Sequence, residues 1–139
     1  MTARSEEAFY NTLCEKYVGL DLRLVAATSD LFLRSRITEI ARQTGAEPFF
    51  AAGPEDTGRL VAQNRAELVI LDLSSIDYDP FSLGREMKTK FNARLFGIFP
   101  HVHTELKKKA DAVGFEYVVP NSTFIESLRR VLLERAEDD

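Results

Sequence analysis

A single cysteine, Cys14, stands in the 139 residues, so no internal disulfide can form and a cysteine-rich zinc site is excluded. A reducing compartment is the simplest setting for such a chain. Long apolar runs are missing as well. None approaches the ~20 residues that cross a bilayer, and the start, Met1-Thr2-Ala3-Arg4-Ser5-Glu6-Glu7, has no apolar signal core. The expected location is cytoplasmic, with no membrane partner. Basic charge is in deficit, 18 Lys and Arg against 22 Asp and Glu, net −4. That balance leaves no electrostatic footprint for nucleic acid. The one basic run, Lys107-Lys108-Lys109, reads as a solvated helix face. No Ser/His/Asp or Cys/His set stands at suggestive positions, so hydrolytic chemistry is not expected and the chain reads as a non-enzyme. No repeat, low-complexity tract or linker divides it.

What is present suits one compact domain: 45% of residues are hydrophobic and 29% charged. Its centre is Leu68-Val69-Ile70-Leu71-Asp72-Leu73, an apolar run closed by one carboxylate. Such a run reads as a strand buried on both faces, the middle of a parallel sheet. Ligands of open α/β sheets sit beyond the carboxyl ends of such strands, which places Asp72 where a function belongs.

Around it, periodicity predicts strands at Leu22–Ala27, Pro48–Ala52, Leu95–Phe99 and Phe115–Val119. Helices are expected between them. The first is capped by Thr28 or Ser29, has Leu33, Ile37, Ile40 and Ala41 inside, and is closed by Gly45. A second follows Gly53-Pro54 with Leu60 and Val61 inside. A third, Phe81–Phe91, turns Leu83, Met87 and Phe91 inward. A fourth runs from Thr104 to Gly114. In the last, Thr123 and Glu126 have capping-box spacing before Phe124, Leu128, Val131 and Leu132. The expected class is α/β: a doubly wound, five-stranded parallel sheet with right-handed crossovers; its order, 2-1-3-4-5 and flavodoxin-like, is what the resemblance given below implies. Ahead of it, Phe9, Leu13 and Tyr17 recur at i, i+4 spacing beside Tyr10 and Cys14, an amphipathic helix over Ser5–Val18 ended by Gly19. That helix must pack on the outside of its own domain or on another chain. The expected division is an N-terminal extension over 1–20, a domain over 21–135 and a charged tail over 136–139.

Five βα units with an aspartate ending the third strand resemble the receiver domain of two-component response regulators, whose single-domain example is the chemotaxis response regulator. Three stretches carry the resemblance over roughly Asp21–Glu134: Leu68–Leu73 as the phosphoacceptor strand, Leu24–Ile37 as strand and helix one, and Ala112-Val113-Gly114 with Tyr117-Val118-Val119-Pro120 as the approach to strand five. The resemblance implies a phosphoacceptor at Asp72. It also implies two acids after strand one that hold Mg²⁺, a hydroxyl ending strand four, an aromatic on strand five and a lysine ending strand five.

The sequence departs from most of that set. The acidic positions fall on Thr28 and Ser29, with Asp30 one or two residues late. The hydroxyl position falls on Phe99 (or Pro100), the aromatic position loosely on Tyr117, and the lysine position on Asn121, or on Val119 if prolines align. No lysine follows Lys109. Two unit charges ~4 Å apart repel by about 4 kcal/mol at an effective dielectric near 20, and a lone carboxylate recruits the reluctantly dehydrated Mg²⁺ weakly. The expectation is therefore a degenerate pseudo-receiver. It would be a signalling module that binds other signalling proteins without the Mg-dependent aspartyl switch, with no cofactor and no metal site. The alternative is a working phosphoacceptor of a phosphorelay, with Asp30 and Asp72 holding Mg²⁺.

Other features have plainer readings. Asp72 can cap its own loop through the amides of Ser74 or Ser75. Asp77 and Asp79 suit turn chemistry, although their oxygens would also suit a cation. His101 and His103 read as exposed loop residues, at the rim where a pH response would be felt. Phe99 is expected to plug the site. A flavodoxin-like phosphate cradle at Thr28-Ser29 lacks the glycine that close backbone approach needs. The implied docking face is the fourth helix, fifth strand and fifth helix, with His103, Lys107, Lys108, Tyr117 and Arg129 on it. Homodimerisation is expected through that face or through the apolar N-terminal helix.

Overall fold

The computed structural model describes residues 22–100 and 104–138. The expected N-terminal helix with Cys14, and both histidines, lie outside the described residues.

Strands β1 (Arg23–Ala27), β2 (Glu47–Ala51), β3 (Leu68–Asp72), β4 (Arg94–Phe99) and β5 (Tyr117–Pro120) form one parallel sheet of order β2-β1-β3-β4-β5. The connecting helices are α1 (Leu31–Thr44), α2 (Pro54–Asn64), α3 (Pro80–Phe91), α4 (Thr104–Val113) and α5 (Phe124–Asp138). The alternation of strand and helix specified a doubly wound parallel sheet, and the strand order is the one the receiver resemblance implied.

Side chains of successive strand residues point to opposite faces, so each central strand feeds two cores. Leu24, Ala26, Ile70, Phe96 and Ile98 pack with Ile37, Ile40, Phe124 and Leu128 beneath α1 and α5. Val25, Ala27, Val69, Leu71 and Leu95 pack with Val61, Leu83, Met87 and Ala110 beneath α2, α3 and α4. At Gly97 the sheet is bare because Leu73 and Phe115 lie across it. A Cβ there would meet Leu73 Cδ1 at 2.9 Å and Phe115 Cδ2 at 3.1 Å.

Several boundaries differ from expectation. Strand β5 begins at Tyr117, two residues late, because Phe115 is spent on the α-helical core rather than on the ladder. Phe91, expected inside, ends α3 at 37% exposure. Leu33 and Leu60 are only half-buried. Thr123 does not open a capping box. Residues Asn121–Thr123 form a 3₁₀ turn that runs straight into α5, with Phe124 N–H donating to the carbonyl of Asn121. The backbone of α5 continues to Asp138, so the expected tail over 136–139 is helical as far as it is described. No helix of the described residues is long and apolar enough to cross a membrane.

Candidate functional site

Parallel strands deliver their carboxyl ends to one edge of the sheet, and the loops that follow enclose whatever chemistry the domain has. Here the ends of β1 and β3 border a cavity of about 240 Å³ whose lining includes Thr28, Asp30, Asp72, Ser74, Asp77 and Tyr78. Asp30 and Asp72, far apart in sequence, therefore border one space. Among the described residues, three carboxylates and no Lys or Arg line it. The formal negative charges of Asp30, Asp72 and Asp77 oppose entry of a phosphoryl donor.

The two carboxylates are occupied by local backbone. Asp30, not Thr28 or Ser29, is the N-cap of α1: its Oδ1 accepts from Phe32 N–H at 2.9 Å and Leu33 N–H at 3.3 Å. Capping needs an extended residue whose short side chain folds back on the first turn, and Asp30 has φ −71° and ψ 110°. Thr28 instead supports that cap, its Oγ1 accepting from Asp30 N–H at 3.1 Å. Its carbonyl accepts from Arg34 Nε at 2.6 Å, and the Arg34 guanidinium lies 5.4 Å from the Phe50 ring centroid. Ser29 is exposed at the cavity edge.

Asp72 ends β3 half-buried. Its Oδ1 accepts from Ser74 N–H at 3.0 Å and from Ser74 Oγ at 2.8 Å, and its carbonyl accepts from Ser75 N–H at 3.1 Å. This is the loop-capping arrangement that an Asp followed by serines favours. Asp79 caps α3 in the same way, through Phe81 N–H and Ser82 N–H. Asp77 is exposed on the cavity lining, its N–H donating to Ser75 Oγ.

Tyr78 is the site residue that sequence reasoning missed. Its hydroxyl donates to the carbonyl of Ala27 at 2.6 Å and accepts from Asp72 N–H at 3.1 Å. Ala27 pairs with Leu71 in the ladder, so the hydroxyl joins β1 to β3 where direct pairing stops, as a bridging water would. Burial raises the Tyr78 phenol to about 12, the amide of Asp72 works against that rise, and the Asp72 and Asp77 carboxylates add to it. The one signal in the sequence was an aromatic flanked by Asp77 and Asp79 in a polar loop.

The remaining expected positions are not gathered here. Phe99 is 4% exposed and belongs to the core under α2, α3 and α4, so it does not plug the cavity. Tyr117 stacks on Phe96 at 5.7 Å, and its hydroxyl accepts from Arg94 Nη1 at 3.3 Å. Arg94 opens β4, so Tyr117 points to the opposite edge of the sheet. The last residue of β5 is Pro120, paired with Phe99, while Asn121 lies beyond the strand in the exposed 3₁₀ turn. Arg129 reaches Gln43 on α1 at 3.0 Å and so turns away from α4 and β5. Lys107 and Lys108 are exposed on α4. Among the described residues no three His, Cys, Asp or Glu side chains come together as a metal-binding group.

No protein-family model matches the sequence, and comparison with curated proteins finds no match. Solved structures do match. The chemotaxis protein CheY4 of Vibrio cholerae superposes with a TM-score of 0.70 at 16% identity, covering 80% of this chain and 98% of that one. The signal receiver domain of a DNA-binding response regulator (merR) from Colwellia psychrerythraea 34H gives 0.69 at 17%, covering 81% and 98%. NtrX from Brucella abortus gives 0.72 at 16%, covering 84% of this chain and 28% of that one. The fold is that of the response-regulator receiver domain, and the resemblance drawn from Leu68–Leu73 holds at that level.

Proposed function

We propose that this chain is a receiver-like signalling module that binds partner proteins without a Mg-dependent aspartyl-phosphate switch. The observation that carries the proposal is the state of the two carboxylates a switch would need. Asp30 Oδ1 is spent on the first turn of α1 and Asp72 Oδ1 on Ser74. Among the described residues no basic side chain lines the cavity to pair with a phosphoryl oxygen. At exposed positions such bonds are each worth roughly 0.5–1 kcal/mol net. A cation drawn to either Oδ1 would compete with these bonds. The Tyr78 hydroxyl further ties the β3–α3 loop to β1. The docking face we assign is α4 with β5, where Lys107 and Lys108 stand exposed. In the same reading the module has no enzymatic turnover and needs no cofactor.

Treatment of the whole chain with acetyl phosphate and Mg²⁺, read by intact mass, tests this directly. The expected result is no phosphoryl adduct, and no shift of the amides around Asp72 on titration with Mg²⁺ and beryllofluoride. Stoichiometric phosphorylation that disappears in Asp72→Asn would instead establish the second reading, a working phosphoacceptor. The position of Asp72 at the carboxyl end of the central strand, half-buried on an open cavity, favours that reading.

A further inference from the structure

Among the described residues a few large apolar side chains stand open to solvent, and three of them belong to the two loop regions that border the candidate site. Leu31 is 76% exposed, Phe32 69% and Ile76 97%. Ile76 lies in the β3–α3 loop and lines the cavity that Asp30, Asp72 and Asp77 share. Leu31 and Phe32 open α1 directly after Asp30, and Phe32 N–H donates to Asp30 Oδ1 at 2.9 Å. The acidic cavity therefore has open apolar side chains on its β1 side and on its β3 side.

Folding does not account for these three. A helix start is stabilised by acidic residues beyond its cap, yet the first turn of α1 holds no acid. Leu31 and Phe32 stand there instead and join neither core, whereas the next residue, Leu33, packs on the core beneath α1 and α5. In the loop, a polar residue between Ser75 and Asp77 would serve the turn as well. Ile76 adds no burial to the domain. Single open apolar residues are ordinary, but several around a concave polar site mark contact with another molecule.

We infer that Leu31, Phe32 and Ile76 are the contact rim for a segment of a partner protein in which a lysine or arginine stands between apolar side chains. Charge selects that occupant. Three carboxylates line the space between the apolar groups, and among the described residues no Lys or Arg lines it. The cap and loop bonds of Asp30 and Asp72 go to Oδ1 of each. The Oδ2 atoms can therefore accept from a cationic donor while those bonds persist. The nearby arginines of α1 lie outside the cavity lining. Arg34 is directed to the carbonyl of Thr28 and the Phe50 ring, and the Arg36 guanidinium lies 5.0 Å from the Phe32 ring centroid. An acidic segment would meet three like charges, and a wholly apolar one would desolvate them without a partner. The inference takes from the proposed function only that the chain binds proteins, and it uses a surface other than α4 and β5.

Selection of random short peptides, displayed on phage, against the immobilised whole chain tests it. The expected pool is enriched in Lys or Arg flanked by apolar residues. The strongest binder, made synthetically and read by fluorescence anisotropy, is expected to bind roughly tenfold more weakly to Phe32→Ser and to Ile76→Ser. Its affinity should also fall with added salt, because the charges are open to screening. Melting temperatures matching wild type would separate lost contact from lost fold. Changing the basic residue of the peptide to glutamate tests the same charge match on the wild-type protein, with a loss of at least roughly tenfold expected. No enriched peptide, a pool without basic residues, or equal affinity for wild type and the rim variants would each overturn the inference. So would binding that is lost in Lys107→Glu or Lys108→Glu and kept in the rim variants, which would leave partner binding in place on α4. Self-association of the wild-type chain that disappears in Phe32→Ser would assign the rim to a second copy and overturn it as well. The acetyl phosphate experiment decides the switchless reading separately.

Discussion

Replacing Tyr78 with phenylalanine isolates the hydroxyl that ties β1 to β3. The ring stays, so half-buried packing is kept, and only two hydrogen bonds are lost, to Ala27 O and from Asp72 N. Each is worth about 1 kcal/mol net, and a backbone group left unpaired in a desolvated position adds to that, giving about 2–3 kcal/mol together. For a domain of this size the melting temperature should fall by roughly 6–12 °C. The same hydroxyl carries a pH signature. Its phenol titrates near 10 in the unfolded chain and near 12 in the folded one. Below pH 10 the phenol is protonated in both states and the stabilisation is complete. Between 10 and 12 the unfolded chain releases its proton first, the folded state binds more protons, and stability falls by about 1.4 kcal/mol per pH unit. Chemical denaturation of wild type and Tyr78→Phe across that window gives the difference, with the other tyrosines and lysines cancelling. A variant that melts within ~1 °C of wild type, with a parallel alkaline decline, would refute the bridge.

Asp30→Ala should destabilise by about 1 kcal/mol through loss of the α1 cap, with Asp30→Ser recovering most of it in denaturant titrations. Asp72→Asn keeps the acceptor for Ser74 and should change stability by less than ~0.5 kcal/mol, whereas Asp72→Ala should lose about 1 kcal/mol in the same assay. Gly97→Ala forces a Cβ to 2.9 Å from Leu73 Cδ1 and should destabilise by about 1–3 kcal/mol, with a melting curve that Leu73→Ala does not simply add to.

The order of elements was legible because each strand and helix writes its own period. Leu68–Leu71 has no polar position because both its faces are covered, and Ile37, Ile40 and Ala41 mark one helical side. Local capping was half legible. Asp72 and Ser74 followed the expected loop chemistry, but the sequence offered Thr28, Ser29 and Asp30 as rival caps of α1. Only the backbone bend at Asp30 chose between them, since the cap is decided by dihedral angles and not by residue type.

Amino-acid order alone determined the α/β class and the place of Asp72 at the end of a buried central strand, because burial patterns repeat within a few residues. Tertiary structure alone decided that the Tyr78 hydroxyl reaches Ala27, that Phe99 is core, and that Tyr117 faces the far edge. Those facts depend on which strands become neighbours and in what register. Contacts between residues as distant as 27 and 78 leave no periodic trace in either segment.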